Sequence, residues 1–224
     1  MSETDRRNTA LRIIAIDGPA GSGKSTVGKL LATRLGLTYL DTGAMYRAVA
    51  FAALDRDVGL GDIDKIGDIA RSVELTVDSS GVFVDGIDAT DAIRGPEVSA
   101  AVSAVAANTQ VREELRGRQR AWADAHGGGV VEGRDIGSVV FPDALLKVYL
   151  TADPEVRANR RAAEIGTDDA NSVANDLARR DAADRKRADS PLVEPDGAVT
   201  VDTTDLGIEA VVELIAKLSE ERQQ

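Results

Sequence analysis

The sequence predicts an α/β fold in which five parallel strands are covered by helices on both faces, with a small antiparallel β insert. Three observations carry this expectation. Short apolar runs alternate with segments of helical periodicity. The first run opens into a glycine-rich loop that leads directly into a helix. One stretch, 72–90, breaks the alternation with two period-two runs separated by DSSG and followed by a DG turn signal.

In chain order, LRIIAI (11–16) is short and rich in β-branched residues, as suits a strand buried on both faces. DGPAGSGKST follows, and KSTVGKLLATRL (24–35) has helical spacing, with Gly36 at the position of a left-handed C-cap. LTYLD (37–41) reads as a second strand and 44–54 as a helix. Later strands fall at 130–132, 145–150 and 198–202, and helices at 111–125, 154–164, 172–188 and 208–221. His126, before three glycines, marks a helix end, and Trp122 is expected in the core.

Composition narrows the function. The 224 residues are 43% hydrophobic and 29% charged, a globular balance, and their length allows a sizeable core. Aromatics are only 3%, which removes the stacking platform of single-strand nucleic-acid binders. The net charge of −11 repels nucleic acid and anionic membranes, so neither is expected as a partner. With no cysteine, disulfides and thiolate chemistry are excluded. No signal peptide or membrane-spanning run is visible, and a cytoplasmic location is expected.

Gly18 to Ser25 (GPAGSGKS) fits the phosphate-cradling pattern G-x-x-x-x-G-K-[ST] in its required strand–loop–helix context. Glycines let backbone N–H groups turn toward phosphate oxygens. Lys24 adds a mobile positive charge, and the Ser25 hydroxyl can join a Mg²⁺ shell. Nucleoside triphosphate binding is therefore expected. Two further clusters end predicted strands, where open α/β sheets bind ligands. In DTGAMYR (41–47), Arg47 suits an anionic acceptor, while Asp41 or Thr42 equally suits a helix N-cap. In VVEGRD (130–135), Glu132 suits a Mg²⁺ water shell, and Arg134 and Asp135 point toward a ligand or pair with each other. Arg157, Arg160 and Arg161 share one helical face, and Arg180, Asp184 and Arg187 another. Such faces suit a charged phosphoryl-transfer transition state, or form ordinary salt-bridge ladders.

Together with IRGPEVSAAVSAVA, VVEGRDIGSVVFPDA and RRDAADRKRADSPL, these motifs make the chain closely resemble the bacterial cytidylate kinases nearly end to end. The resemblance implies a P-loop NTPase core (1–41, 95–152 and 181–224), a monophosphate-binding subdomain with the β insert (42–94) and a helical lid (153–180). It implies transfer of the γ-phosphoryl group of ATP to CMP or dCMP with Mg²⁺, by a protein expected to be monomeric. It also assigns roles. Gly18, Pro19, Ala20, Gly21, Ser22, Gly23, Lys24, Ser25 and Thr26, with Arg157, would hold ATP, and Ser25 and Glu132, the latter through water, would hold Mg²⁺. Thr42, Arg47, Ser103, Arg112, Asp135, Arg180, Asp184 and Arg187 would bind the acceptor. Lys24, Arg134, Arg160 and Arg161 would stabilise the transferred group, the last two from the lid. A P-loop kinase of shikimate or gluconate and a non-catalytic nucleotide switch are the competing readings. The β insert disfavours the first, and the absence of an N-K-x-D motif disfavours the second.

Overall fold

The computed structural model describes residues 11–223. Its centre is a parallel sheet of β1 (Arg12–Asp17), β2 (Tyr39–Asp41), β6 (Gly128–Glu132), β7 (Leu146–Thr151) and β8 (Val199–Asp202), in the order β2-β6-β1-β7-β8. Register pairs Ile16 of β1 with Glu132 of β6 and with Val148 of β7. The carboxyl ends of β1 and β6 therefore lie side by side, and each carries one of the chemistry-bearing motifs.

Alternation along β1 divides the core. Ile14 and Ile16 face α1 (Lys24–Leu35) and α8 (Ile208–Glu221), packing with Val27, Leu31, Val211 and Ile215. Ile13 and Ala15 face the other layer, formed mainly by α2 (Thr42–Asp55), α4 (Pro96–Ala107) and α5 (Thr109–His126). Helix α2 is buried almost all round because Ala44, Ala48, Ala50, Ala52 and Ala53 let its neighbours approach closely. Helix α5 starts at Asn108, whose side chain accepts from the N–H groups of Gln110 and Val111. It ends at His126, stacked on Trp122, which packs against the core as expected.

The insert is a three-stranded antiparallel sheet of β3 (Leu75–Asp78), β4 (Gly81–Val84) and β5 (Ile87–Asp88). Its DG turn has φ of 50° at Asp85 and 79° at Gly86, the left-handed pair that a two-residue hairpin needs. Strand edges move by one or two residues from the sequence expectation. Two helices were not delimited from sequence. Helix α3 (Ile63–Ser72) carries Gly67, which weakens its helical signature and lies close against Gln110 of α5. Helix α4 begins with Pro96 at its first turn.

Two helices, α6 (Pro154–Ile165) and α7 (Ala170–Lys186), pack on each other through Ala158, Ala162, Val173 and Leu177, and this small cluster also encloses Ala20 of the glycine-rich loop. Helix α7 stops at Lys186, two residues short of the 188 expected, and Arg187 is its C-cap with ψ of 138°. The 153–180 lid boundary thus falls inside α7. No helix among the described residues is long and apolar enough to cross a membrane.

Candidate functional site

Two adjoining cavities open at the carboxyl edge of the sheet. The larger, about 420 Å³, is lined by Ala20 to Val27 together with Arg160, Arg161, Thr203 and Leu206. The smaller, about 90 Å³, is lined by Thr42, Tyr46, Ser103, Arg112, Asp135, Asp184 and Arg187, among others. Lys24, Asp41, Arg47, Glu132, Arg134 and Arg180 line both. Four cations and two carboxylates therefore stand where the chambers meet.

The larger chamber is built on backbone. Gly21 and Gly23 take φ of 76° and 88°, the left-handed region that turns successive N–H groups to one side, and α1 begins immediately after them. The nest and the helix N-terminus together favour an anion. The buried Lys24 ammonium donates to the Pro19 carbonyl at 2.6 Å, so it lies against the loop. Burial, then the Arg134 charge, pull its pKa well below the usual lysine range. Gly18 and Pro19 shape the loop without lining the cavity: a side chain on Gly18 would strike the Leu150 carbonyl of β7.

Glu132 ends β6 beside that loop. Ser25 Oγ donates to Glu132 Oε1 at 2.7 Å, whereas Glu132 Oε2 is buried without a hydrogen-bond partner. Burial and the nearby Asp41 raise the Glu132 pKa. A hydroxyl and a carboxylate with an unused oxygen are hard donors of the kind Mg²⁺ takes, and that ion completes its shell with water and phosphate rather than a protein cage. The residues fit the ion. No cluster of three or more His, Cys, Asp or Glu side chains suited to a metal occurs among the described residues.

The smaller chamber is built on side chains from distant elements. Arg112 of α5 is fully buried, donates to Asp135 Oδ2 at 2.6 Å and to the Ala106 carbonyl, and lies over the Tyr46 ring at 5.3 Å. Its Nε is buried without a hydrogen bond and stands 3.9 Å from Asp189 Oδ1. Arg134 donates to Asp184 Oδ2 at 3.0 Å, and Arg187 stands 3.6 Å from Asp184 Oδ1. So VVEGRD does not form an internal Arg134–Asp135 pair. Its arginine reaches α7 and its aspartate reaches α5. Thr42 donates to the Glu132 carbonyl at 2.6 Å, and Asp41, not Thr42, caps α2 by accepting from the Ala44 N–H. Arg47 donates to the Ile93 carbonyl and to Ser99 Oγ. Burial and Arg180 lower it to about 10, which leaves it charged at neutral pH.

The three arginines expected on one face of α6 do not act together. Arg160 donates to the Thr203 carbonyl at 2.7 Å beyond β8, and Arg161 pairs with Glu164 at 2.8 Å, both at the larger cavity. Arg157 turns away. It lines neither cavity and donates to the Ala20 carbonyl at 2.8 Å and to Asp181 Oδ2 at 2.6 Å. The resemblance implies a place for it among the ATP-contacting groups; here its guanidinium lies behind the loop, on Ala20 and Asp181.

Sequence reasoning missed Asp17, Tyr46 as a platform for Arg112, and Asp181. Asp17 ends β1 fully buried, and its two oxygens accept from the Ile136 and Gly137 N–H groups at 2.8 and 2.7 Å. It thereby fixes the turn directly after Asp135. Burial raises its pKa to about 6 against the pull of both donors. An aspartate next to a phosphate-binding motif reads as part of that motif, so nothing in the sequence marked this second task.

A phosphate nest joined to a cation-rich junction and a separate polar chamber defines a P-loop phosphotransferase. The family described as Cytidylate kinase matches residues 14–221. The chain is 48% identical over 212 residues to a cytidylate kinase of Desulfitobacterium hafniense (strain Y51), covering 92% of this chain and 91% of that one. Against the cytidylate kinase of Pelotomaculum thermopropionicum it is 48% identical over 221 residues, covering 94% and 97%. It belongs to the cytidylate kinase family. Among solved structures, TT1252 from Thermus thermophilus superposes with a TM-score of 0.51 at 20% identity, covering 95% of this chain and 98% of that one, a likeness of fold.

Proposed function

We propose that this protein transfers the γ-phosphoryl group of Mg·ATP to CMP or dCMP, giving ADP and CDP or dCDP. The observation that carries the reading is the junction of the two chambers, where Lys24, Arg47, Arg134 and Arg180 line both cavities. Phosphoryl transfer asks for alignment and cationic stabilisation rather than a nucleophilic side chain, and that is what this junction supplies.

On the donor side, backbone N–H groups of Gly21 to Ser25 hold phosphate oxygens, and Lys24 leaves the Pro19 carbonyl for them. Mg²⁺, when bound, neutralises phosphate charge, with Ser25 as its protein ligand and Glu132 orienting its water. On the acceptor side, Arg47 takes the monophosphate, and Asp184 and Arg180 face the sugar. Asp135 accepts from the cytosine amino group, while Arg112 and Ser103 donate to its acceptors. Arg134, held by Asp184, lines both chambers and stabilises the transferred group. Arg160 and Arg161 face the donor phosphates from α6, and closure of the tip where α6 meets α7, beyond the Arg157–Asp181 contact, keeps water from competing as acceptor.

ADP release from Mg·ATP, scanned over CMP, dCMP, UMP, AMP, GMP and shikimate, tests the reading. Turnover confined to the cytidine nucleotides is expected. Turnover with shikimate alone would overturn the acceptor assignment, and tight ATP binding without turnover would overturn the reaction.

A further inference from the structure

We infer that Asp181, with Arg157 as its partner, is a positioning residue that sets the P-loop in register with the acceptor-binding face of α7. Asp181 Oδ1 accepts from the Ala20 N–H at 3.0 Å, and its Oδ2 accepts from Arg157 Nη1 at 2.6 Å. The same Nη1 donates to the Ala20 carbonyl at 2.8 Å. Both backbone polar groups of one P-loop residue are thus held by side chains, one from each of α6 and α7. Arg157 Nε closes the arrangement on the Ala152 carbonyl at the end of β7.

Neither side chain faces either chamber. Asp181 is 1% and Arg157 8% exposed, and neither lines a cavity. The Ala20 methyl sits among Ala158, Ala162, Val173 and Leu177, so the seat is apolar on one side and ionic on the other. A buried pair of this kind is poor evidence for stability, since desolvation offsets most of its attraction. Its geometry is more informative. Asp181 lies between Arg180 and Asp184, which face the smaller chamber from the same rigid helix. Fixing Asp181 on Ala20 therefore fixes the distance from the phosphate nest to the acceptor groups. The residue before Ala20 is Pro19, whose carbonyl holds Lys24, so the clamp also sets where that ammonium rests.

The inference rests on the proposed transfer between the two chambers. If an alignment error near 1 Å costs about 100-fold in rate, loosening this clamp is expected to appear in kcat. In Asp181→Asn the amide cannot accept from both Ala20 and Arg157, because its nitrogen meets a donor. We expect kcat per folded molecule to fall roughly 10- to 100-fold and KM for ATP to rise. The Kd of CMP alone, measured by calorimetry, should stay within about twofold, since the side chain does not reach that chamber. A merely structural role would lower Tm and leave kcat and KM of the folded fraction within about twofold, and that result overturns the inference. Arg157→Lys keeps the charge on Asp181 but loses the forked contact. It carries the same comparison should Asp181→Asn not fold, with an expected kcat loss of about 10-fold, and parent-like constants in it overturn the inference equally. The parent enzyme is assayed alongside with Mg·ATP and CMP. If the parent turns over no CMP, the functional reading fails by itself, and the clamp is judged on ATP Kd, where an unchanged value in the variants overturns it.

Discussion

The two chambers meet at one junction but are made by different means. The larger chamber, proposed to take the donor, is floored by one contiguous loop with its main-chain N–H groups turned by Gly21 and Gly23 and continued by α1. The acceptor chamber is a cage of side chains from α2, α4, α5, α7 and the segment after β6, kept in place by the Arg112–Asp135 and Arg134–Asp184 ion pairs. A backbone site needs the right turn, which here is braced at the single residue Ala20 by Asp181 and Arg157. A caged site needs every pair, because removing one member strands a buried charge.

That contrast sets the order of expected effects. Arg112→Met leaves Asp135 buried without its cation and should lower stability by about 3–5 kcal/mol, read as a shift in denaturant midpoint. An unchanged midpoint would mean that the cage is not held by its ion pairs. Lys24→Ala removes the cation that the glycine-rich loop itself carries and should lower kcat by roughly 100- to 1,000-fold with little change in midpoint. Asp17→Asn tests the turn that carries Asp135. A carboxyl raised from 3.8 to about 6 in the folded protein stays protonated there while the unfolded chain ionises. It therefore contributes stability below about pH 4 and loses it as pH rises through about 6. The parent should lose up to about 3 kcal/mol relative to Asp17→Asn across that window, with Lys24 and Asp135 the charges that face it. A pH-independent difference would show that Asp17 is ionised throughout. Asp135→Ala should raise KM for CMP by about 10- to 100-fold, the worth of a charge-assisted hydrogen bond, with the ATP Kd within twofold. Equal weakening of both ligands would erase the distinction between chambers. At the bottom of the scale, Arg34→Ala breaks a pair with Glu213 whose side chains are 48% and 63% exposed, and the midpoint should move by less than about 0.5 kcal/mol.

The same contrast explains what could be read from the amino acids. Loop, strand and helix are consecutive at 11–36, so periodicity and glycine spacing revealed the donor site without help. The sheet was legible because its strands are short apolar runs, and the insert because DSSG and DG punctuate it. The cage was not legible from spacing. Ser103, Arg112 and Asp135 are far apart in the chain, and only resemblance to a family connected them. Helix α3 was hidden by Gly67, whose missing side chain makes room for Gln110, a reason that exists only in three dimensions. Arg157 shares a regular spacing with Arg160 and Arg161, yet its guanidinium is held on Ala20 behind the loop, a placement that spacing alone does not show.

The strand order has a consequence for how the molecule comes into being. Strand β1 finds its neighbours only in β6 and β7, more than a hundred residues later, and the Asp181 contact to Ala20 spans 161 positions. A nascent chain thus exposes its glycine-rich loop early but has nothing to brace it until α7 has emerged. Such non-local closure is slow relative to helix formation, because loop entropy is lost before the contacts form. Truncated chains and stalled translation products would therefore hold the phosphate-binding sequence without the means to use it, and would release no partial kinase that squanders ATP.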